Sequence, residues 1–228
     1  MRVFLFMVLL SLFSRQPAIA QTDSIVLLNE IEAKLEKGST SVSSILTDKN
    51  YLSLHPYTPF RELIKKYCTA SPVEIAMDTE PGKKIKVLAT LQDESGKSMA
   101  GAVVYFYQTD AKGWYAADRP HVGGNSGDQR HARLFGYAKT DASGKFEIHT
   151  VKPSGYPQSD LPAHIHVEVH DLPPYQPAIT EFLFDDDERL VGDIRTNAQR
   201  DHFKIAKAER ANPPFDQQFS YIITLQKN

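Results

Sequence analysis

The chain has 228 residues, 41% hydrophobic and 24% charged, with 26 Lys and Arg against 28 Asp and Glu. That length supports one domain with a full core and a small appendage. A net charge of −2 excludes the basic footprint of a nucleic-acid partner and a polybasic membrane patch.

Residues 1–20 read as a signal peptide. Arg2 supplies the positive start, Val3 to Phe13 form a nearly unbroken apolar run, and Ala18-Ile19-Ala20 gives the small-x-small pattern of a cleavage site. The apolar run is shorter than the ~20 residues a spanning helix needs. Cleavage after Ala20, export to a periplasmic or extracellular space, and no stable membrane insertion are therefore expected. Cys68 is the single cysteine. An exported chain with one thiol forms no internal disulfide and depends on core burial and any bound metal. Apolar residues at helical spacing around Cys68 predict a packed rather than a catalytic thiol.

Residues 21–71 are expected to form an N-terminal helical extension. Ile25, Leu28, Ile31 and Leu35 fall three or four apart, and the pattern stops at Gly38. A second helix is expected after Thr58, with Pro59 at the first helical position. Such a short segment is expected to pack against its own domain rather than form a dimer seam. From Pro72 the pattern changes. Val73 to Ala76, Lys84 to Leu91, Ala102 to Gln108, Lys145 to Val151, Ile165 to His170, Thr180 to Phe184 and Phe219 to Leu225 are short β-branched or aromatic runs. Residues 72–228 are accordingly predicted to be mainly β, an antiparallel β-sandwich. The stretches from Asp110 to Lys139 and from Leu190 to Asp216 read as long functional loops.

The run Pro162-Ala-His164-Ile-His166-Val-Glu-Val-His170 carries the first chemical signal. Side chains alternate faces along a strand, so His164, His166, Glu168 and His170 share one face. Two imidazoles one residue apart can converge on one ion. His170 lies one step too far along. Alone, this pattern also describes the solvated face of a half-buried strand.

Three upstream segments add to it in order: Lys112-Gly-Trp-Tyr115, Thr140-Asp-Ala-Ser-Gly-Lys and Val151-Lys-Pro-Ser-Gly-Tyr156-Pro. With Pro162-Ala-His-Ile-His they resemble the catalytic core of the intradiol aromatic-ring dioxygenases, from about Lys84 to Phe184. The resemblance implies Fe(III) held by Tyr115, Tyr156, His164 and His166, with Tyr156 the ligand that leaves when substrate arrives. It also implies a catecholic substrate and dioxygen as partners, and cleavage between the hydroxylated carbons to a muconate-type diacid. The ligand chemistry is consistent with this. A phenol loses its proton only to a strongly Lewis-acidic ion, and two phenolates with a hydroxide balance a 3+ charge.

Two positions depart from the family pattern. Leu161 stands where the family places an arginine, and Glu181 where it places a glutamine. Arg130 or Arg133 is expected to supply the missing positive charge. The departures keep open a non-catalytic homologue that binds ferric iron or catecholates. The strands alone also fit a metal-free, transthyretin-like binding domain.

Overall fold

The computed structural model describes residues 18–116 and 132–227. Most of the expected signal peptide and Arg130 therefore lie outside the described residues. Among the described residues no helix is long and apolar enough to cross a membrane.

The extension is helical. Helix α1 spans Ala18–Glu36 and ends at Gly38, whose φ of +63° suits a residue without Cβ. Helix α2 (Val42–Leu46) starts at Ser41, whose side chain caps Ser44 N, and a 3-10 segment follows over Lys49–Leu54. Helix α3 (Thr58–Lys66) places its N-cap at Tyr57, one residue before the expected Thr58, with Pro59 in the first turn.

Two five-stranded sheets follow. One has the order β1 (Val73–Glu74), β5 (Lys145–Val151), β2 (Lys84–Asp93), β10 (Gln217–Leu225), β9 (Glu209–Arg210). The other runs β4 (Leu134–Lys139), β3 (Val103–Gln108), β6 (His164–Val169), β7 (Ala178–Phe184), β8 (Lys204–Ala206). Their inner faces meet in one core that includes Val87, Leu91, Phe106, Val167 and Phe182. Phe182 stacks on Tyr221 across the sheets at 4.1 Å between centroids.

The sandwich with its helical extension is as expected, but the sheets are mixed rather than antiparallel. β10 lies parallel to β2 over nine residue pairs, and β1–β5 and β7–β8 are also parallel. Period-2 patterning reveals which face a strand buries, not the direction of its partner. Both expected long loops contain regular structure. β4 was hidden by Gly136, where a Cβ would stand 2.9 Å from the Phe106 ring, so that glycine admits the ring. Helix α4 (Gly192–Arg200) has Ala198 as its buried residue and carries little apolar periodicity.

The extension packs on its own domain, over the outer face of the β4–β3 side. Phe60 and Phe135 meet His55, and Arg61 spans the seam. Arg61 is buried, with its guanidinium 3.8 Å from the Phe135 ring centroid. It donates to the carbonyls of His55 (2.9 Å) and Ala132 (2.7 Å) and to the Tyr105 hydroxyl (2.9 Å). Cys68 is buried and free, as expected.

His55 makes this seam sensitive to pH. Its Nδ1 lies 2.7 Å from the Arg133 carbonyl, and burial is the main cause that pushes its pKa from 6.5 down to about 4. The unfolded chain therefore binds a proton between pH 6.5 and 4 that the folded chain refuses. This contribution to stability is complete above pH 6.5 and lost as pH falls toward 4, with an upper limit of about 3 kcal/mol. Denaturant midpoints at pH 7.5 and 4.5 should show that slope, and His55→Gln should flatten it.

Candidate metal centre

The strand β6 lies between β3 and β7, and its register sets one row of side chains across the outer face. Phe135 pairs with Tyr107, Tyr107 with His166, and His166 with Glu181. Paired residues share a face, so these four stand side by side. His164 lies two residues before His166 and is buried at 6% exposure. The Tyr107 ring stacks on the His166 ring at 4.4 Å and 16°, which fixes the plane of that imidazole.

Two turns bring the tyrosines in. Asp110 Oδ1 accepts from the amides of Lys112 and Trp114, closing the first turn around Gly113. The second turn carries Gly155 and Tyr156. The glycines are what let the turns touch. A Cβ on Gly113, whose φ is +82°, would stand 2.3 Å from the Gly155 carbonyl oxygen. One on Gly155 would stand 2.1 Å from the Leu161 carbonyl oxygen. The helical extension also reaches this region. His55 and Arg61 hold the carbonyls of Arg133 and Ala132, and the Arg133 amide donates to the Tyr115 carbonyl at 2.7 Å.

The structure brings Tyr115, Tyr156, His164 and His166 to one point. The Tyr115 and Tyr156 hydroxyls are 2.7 Å apart, and Tyr115 lies 2.9 Å from His166 Nε2. Tyr156 lies 2.9 Å from His164 Nε2 and 3.2 Å from His166 Nε2, and the two Nε2 atoms are 3.1 Å apart. His164 Nδ1 faces the Pro162 carbonyl at 2.8 Å. A carbonyl only accepts, so Nδ1 holds the proton and Nε2 presents a lone pair. Glu181 Oε1, 3.5 Å from His166 Nδ1, draws the His166 proton to the same side. Two lone pairs thus face each other, and two phenol hydrogens cannot satisfy five close contacts. A cation between the four atoms resolves the conflict. Donors about 2.0–2.1 Å from an ion and 90–110° apart stand roughly 2.9–3.4 Å from one another, close to the separations observed.

The donor chemistry narrows the ion. Burial first, then the neighbouring Tyr156, pushes the Tyr115 phenol far above its ordinary pKa near 10. Such a phenol ligates as phenolate only to a strongly Lewis-acidic ion, which Fe(III) is and zinc or calcium is not. His164, His166 and Glu181 also form a metal-compatible group. Glu181 stands on the Nδ1 edge of His166, however, while the tyrosine oxygens stand on its Nε2 edge. Burial pushes the Glu181 carboxyl upward.

Other expected residues are placed elsewhere. Arg133 does not supply free positive charge: Glu80 holds both terminal nitrogens at 2.7 Å, and Asp110 stands 4.0 Å away. That corrects its expected catalytic role, because a cation neutralised by a buried carboxylate offers little field to a substrate. His170 pairs with Glu168 at 2.8 Å, away from the cluster. Tyr107, stacked on His166, is a site residue that sequence reasoning left in the core. Its i, i+2 spacing from Tyr105 gives no sign of which strand pairs beside it.

Comparison with known proteins adds the family. The model of the Dioxygenase family (Dioxygenase_C) matches residues 65–227. The chain belongs to the intradiol ring-cleavage dioxygenases. It is 32% identical over 112 residues to catechol 1,2-dioxygenase 1 of Acinetobacter lwoffii, covering 42% of this chain and 34% of that protein. It is 27% identical over 173 residues to a chlorocatechol 1,2-dioxygenase of Rhodococcus opacus, covering 68% and 65%. These matches span less than two thirds of either relative. Among solved structures, catechol 1,2-dioxygenase from Pseudomonas arvilla superposes with a TM-score of 0.55 at 22% identity, covering 70% of this chain and 57% of that one. The 3-chlorocatechol 1,2-dioxygenase of Rhodococcus opacus gives 0.54 at 18%, covering 92% and 95%. At these identities the structural matches speak for the fold of this family member.

The approach of the two turns is testable. Gly113→Ala should lower stability by about 1–3 kcal/mol and reduce retained iron, measured by denaturant unfolding and metal analysis. Gly38→Ala, where a Cβ meets nothing within 4 Å, should cost about 1 kcal/mol for its positive φ and leave iron content unchanged.

Proposed function

We propose that the chain is an exported Fe(III) dioxygenase that cleaves a catechol-type ring between its hydroxylated carbons to a muconate-type diacid. The observation that carries this reading is the facing pair of Nε2 lone pairs, 3.1 Å apart, ringed by two phenol oxygens. The relatives' names, catechol and chlorocatechol 1,2-dioxygenase, supply the substrate class and the co-substrate dioxygen. Tyr115, Tyr156, His164 and His166 would hold the iron. When bound, ferric iron supplies the Lewis acidity that binds a catecholate and exposes its ring to dioxygen.

The chain's own residues have separable tasks. The Pro162 carbonyl and Glu181 each face a histidine Nδ1, which sets the tautomer and turns both Nε2 atoms toward the iron position. Tyr115 and Tyr156 balance charge in a site shielded from water. With iron bound, a catecholate dianion in place of one phenolate and a hydroxide would leave that balance unchanged. The Tyr156 oxygen, touching both imidazoles, is placed to take a catechol proton as it leaves. The Tyr107 ring keeps His166 from turning.

Glu181 favours a second reading, a homologue that binds catecholates without turning them over. A carboxylate beside the ligand histidine opposes build-up of negative charge on the substrate. Stoichiometric oxygen uptake separates the two.

Two outcomes are expected. Iron-loaded protein should be red to burgundy through phenolate-to-iron charge transfer, and should consume one oxygen per catechol in a screen over catechol, protocatechuate and hydroxyquinol. Tyr156→Phe should weaken that band and slow turnover on the order of 10²-fold; an unchanged spectrum would remove Tyr156 from the ligand set. Export rests on Arg2, the apolar run and Ala18-Ile19-Ala20. N-terminal sequencing of protein recovered outside the cytoplasm should begin at Gln21, and intact Met1 there would contradict cleavage.

A further inference from the structure

A cation does stand at the Tyr156 turn, and it comes from neither expected arginine. Arg189 lies between β7 and α4, and its guanidinium Nη1 is 3.3 Å from the Tyr156 carbonyl and 3.3 Å from the Leu161 carbonyl. These carbonyls flank the loop that leads from the ligand tyrosine to the ligand histidines. A Cβ on Gly155 would stand 2.3 Å from the same Nη1, so the guanidinium fills the space a side chain there would take. The Arg189 backbone is itself fixed. Its amide donates to Asp187 Oδ1 at 2.8 Å, and Asp187 Oδ2 accepts from the Ala163 amide at 2.8 Å, directly before His164. The next residue, Leu190, is buried with Leu183 and Ala198. Among the described residues no carboxylate lies within 4.0 Å of the guanidinium, so its charge is not neutralised as that of Arg133 is.

We propose that Arg189 is the positioning residue of the centre, holding the Tyr156–Leu161 loop closed. The proposal rests on the metal-centre reading above. One guanidinium bridging two carbonyls ties the tyrosine-bearing turn to the approach of β6, so the hydroxyl of Tyr156 and the two Nε2 atoms keep their separations. Leu161 itself turns its side chain outward, 50% exposed. The missing arginine at that position is thus answered by a cation on that residue's backbone.

The test compares wild type, Arg189→Gln and Arg189→Lys, each loaded with ferric iron through a citrate competitor and titrated with catechol without oxygen. Arg189→Gln should keep its melting temperature within a few degrees. It should bind iron about tenfold more weakly, as loss of charge-assisted hydrogen bonds predicts, with a shifted charge-transfer maximum. Arg189→Lys, which keeps the charge and can reach one or both carbonyls, should recover most of both. If Arg189→Gln does not fold, Arg189→Lys carries the comparison alone: affinity within about threefold of wild type and a maximum close to it support the proposal, and a tenfold or larger loss in a folded Arg189→Lys overturns it. Equal affinity and an unmoved maximum in a folded Arg189→Gln overturn the proposal while the metal centre stands. Equal loss in both variants, with lowered melting temperatures, marks a merely structural residue and also overturns it. A colourless wild type overturns the metal-centre reading and this proposal with it.

Discussion

Two imidazole nitrogens with their lone pairs turned toward each other are the constraint around which the site is organised. His164 and His166 cannot relieve that repulsion by changing tautomer, because the Pro162 carbonyl and Glu181 both engage the opposite nitrogen. Nor can they turn away freely, since Tyr107 stacks on one ring and the other is buried. Positive charge between the nitrogens relieves the repulsion, and on the proposed reading the two phenol oxygens that close the ring of contacts suit a trivalent ion.

That arrangement needs a sheet and two turns to coincide within a few tenths of an ångström. The sheet contributes through register, because Tyr107, His166 and Glu181 occupy one cross-strand row. The turns contribute through absent side chains. Gly113 and Gly155 sit where any Cβ would strike a carbonyl of the neighbouring turn or loop. Packing that tight explains how a polar cluster persists on the outer face of a sandwich whose apolar core lies on the other side.

The residues legible in the sequence are those whose chemistry is local. The shared face of His164 and His166 follows from strand alternation, and the strands from period-2 runs, while Tyr115 and Tyr156 were singled out by the resemblance to the family. What stayed hidden depends on contacts between distant segments. Tyr107 reads as one more core aromatic until β3 is known to pair with β6. Arg189 carries no local pattern, and its role arises only because the loop after β7 crosses beneath the Gly155 turn. The parallel pairing of β2 with β10 joins segments more than a hundred residues apart, and alternation is blind to strand direction. Arg133 failed for the same reason in reverse: its charge looked free until the structure placed Glu80 against it.

Arg61 and Arg189 show how the fold divides this labour. Arg61 reaches from the N-terminal extension to the Ala132 carbonyl, and Arg133 N beside it holds the Tyr115 turn. Arg189 reaches from the opposite end of the chain's β-region to the Tyr156 turn. Tyr115 and Tyr156 thus each have their backbone held by a segment distant in sequence, whereas His164 and His166 are held by the sheet itself. The helical extension thus helps to build the tyrosine–histidine cluster, although none of its own residues belongs to it.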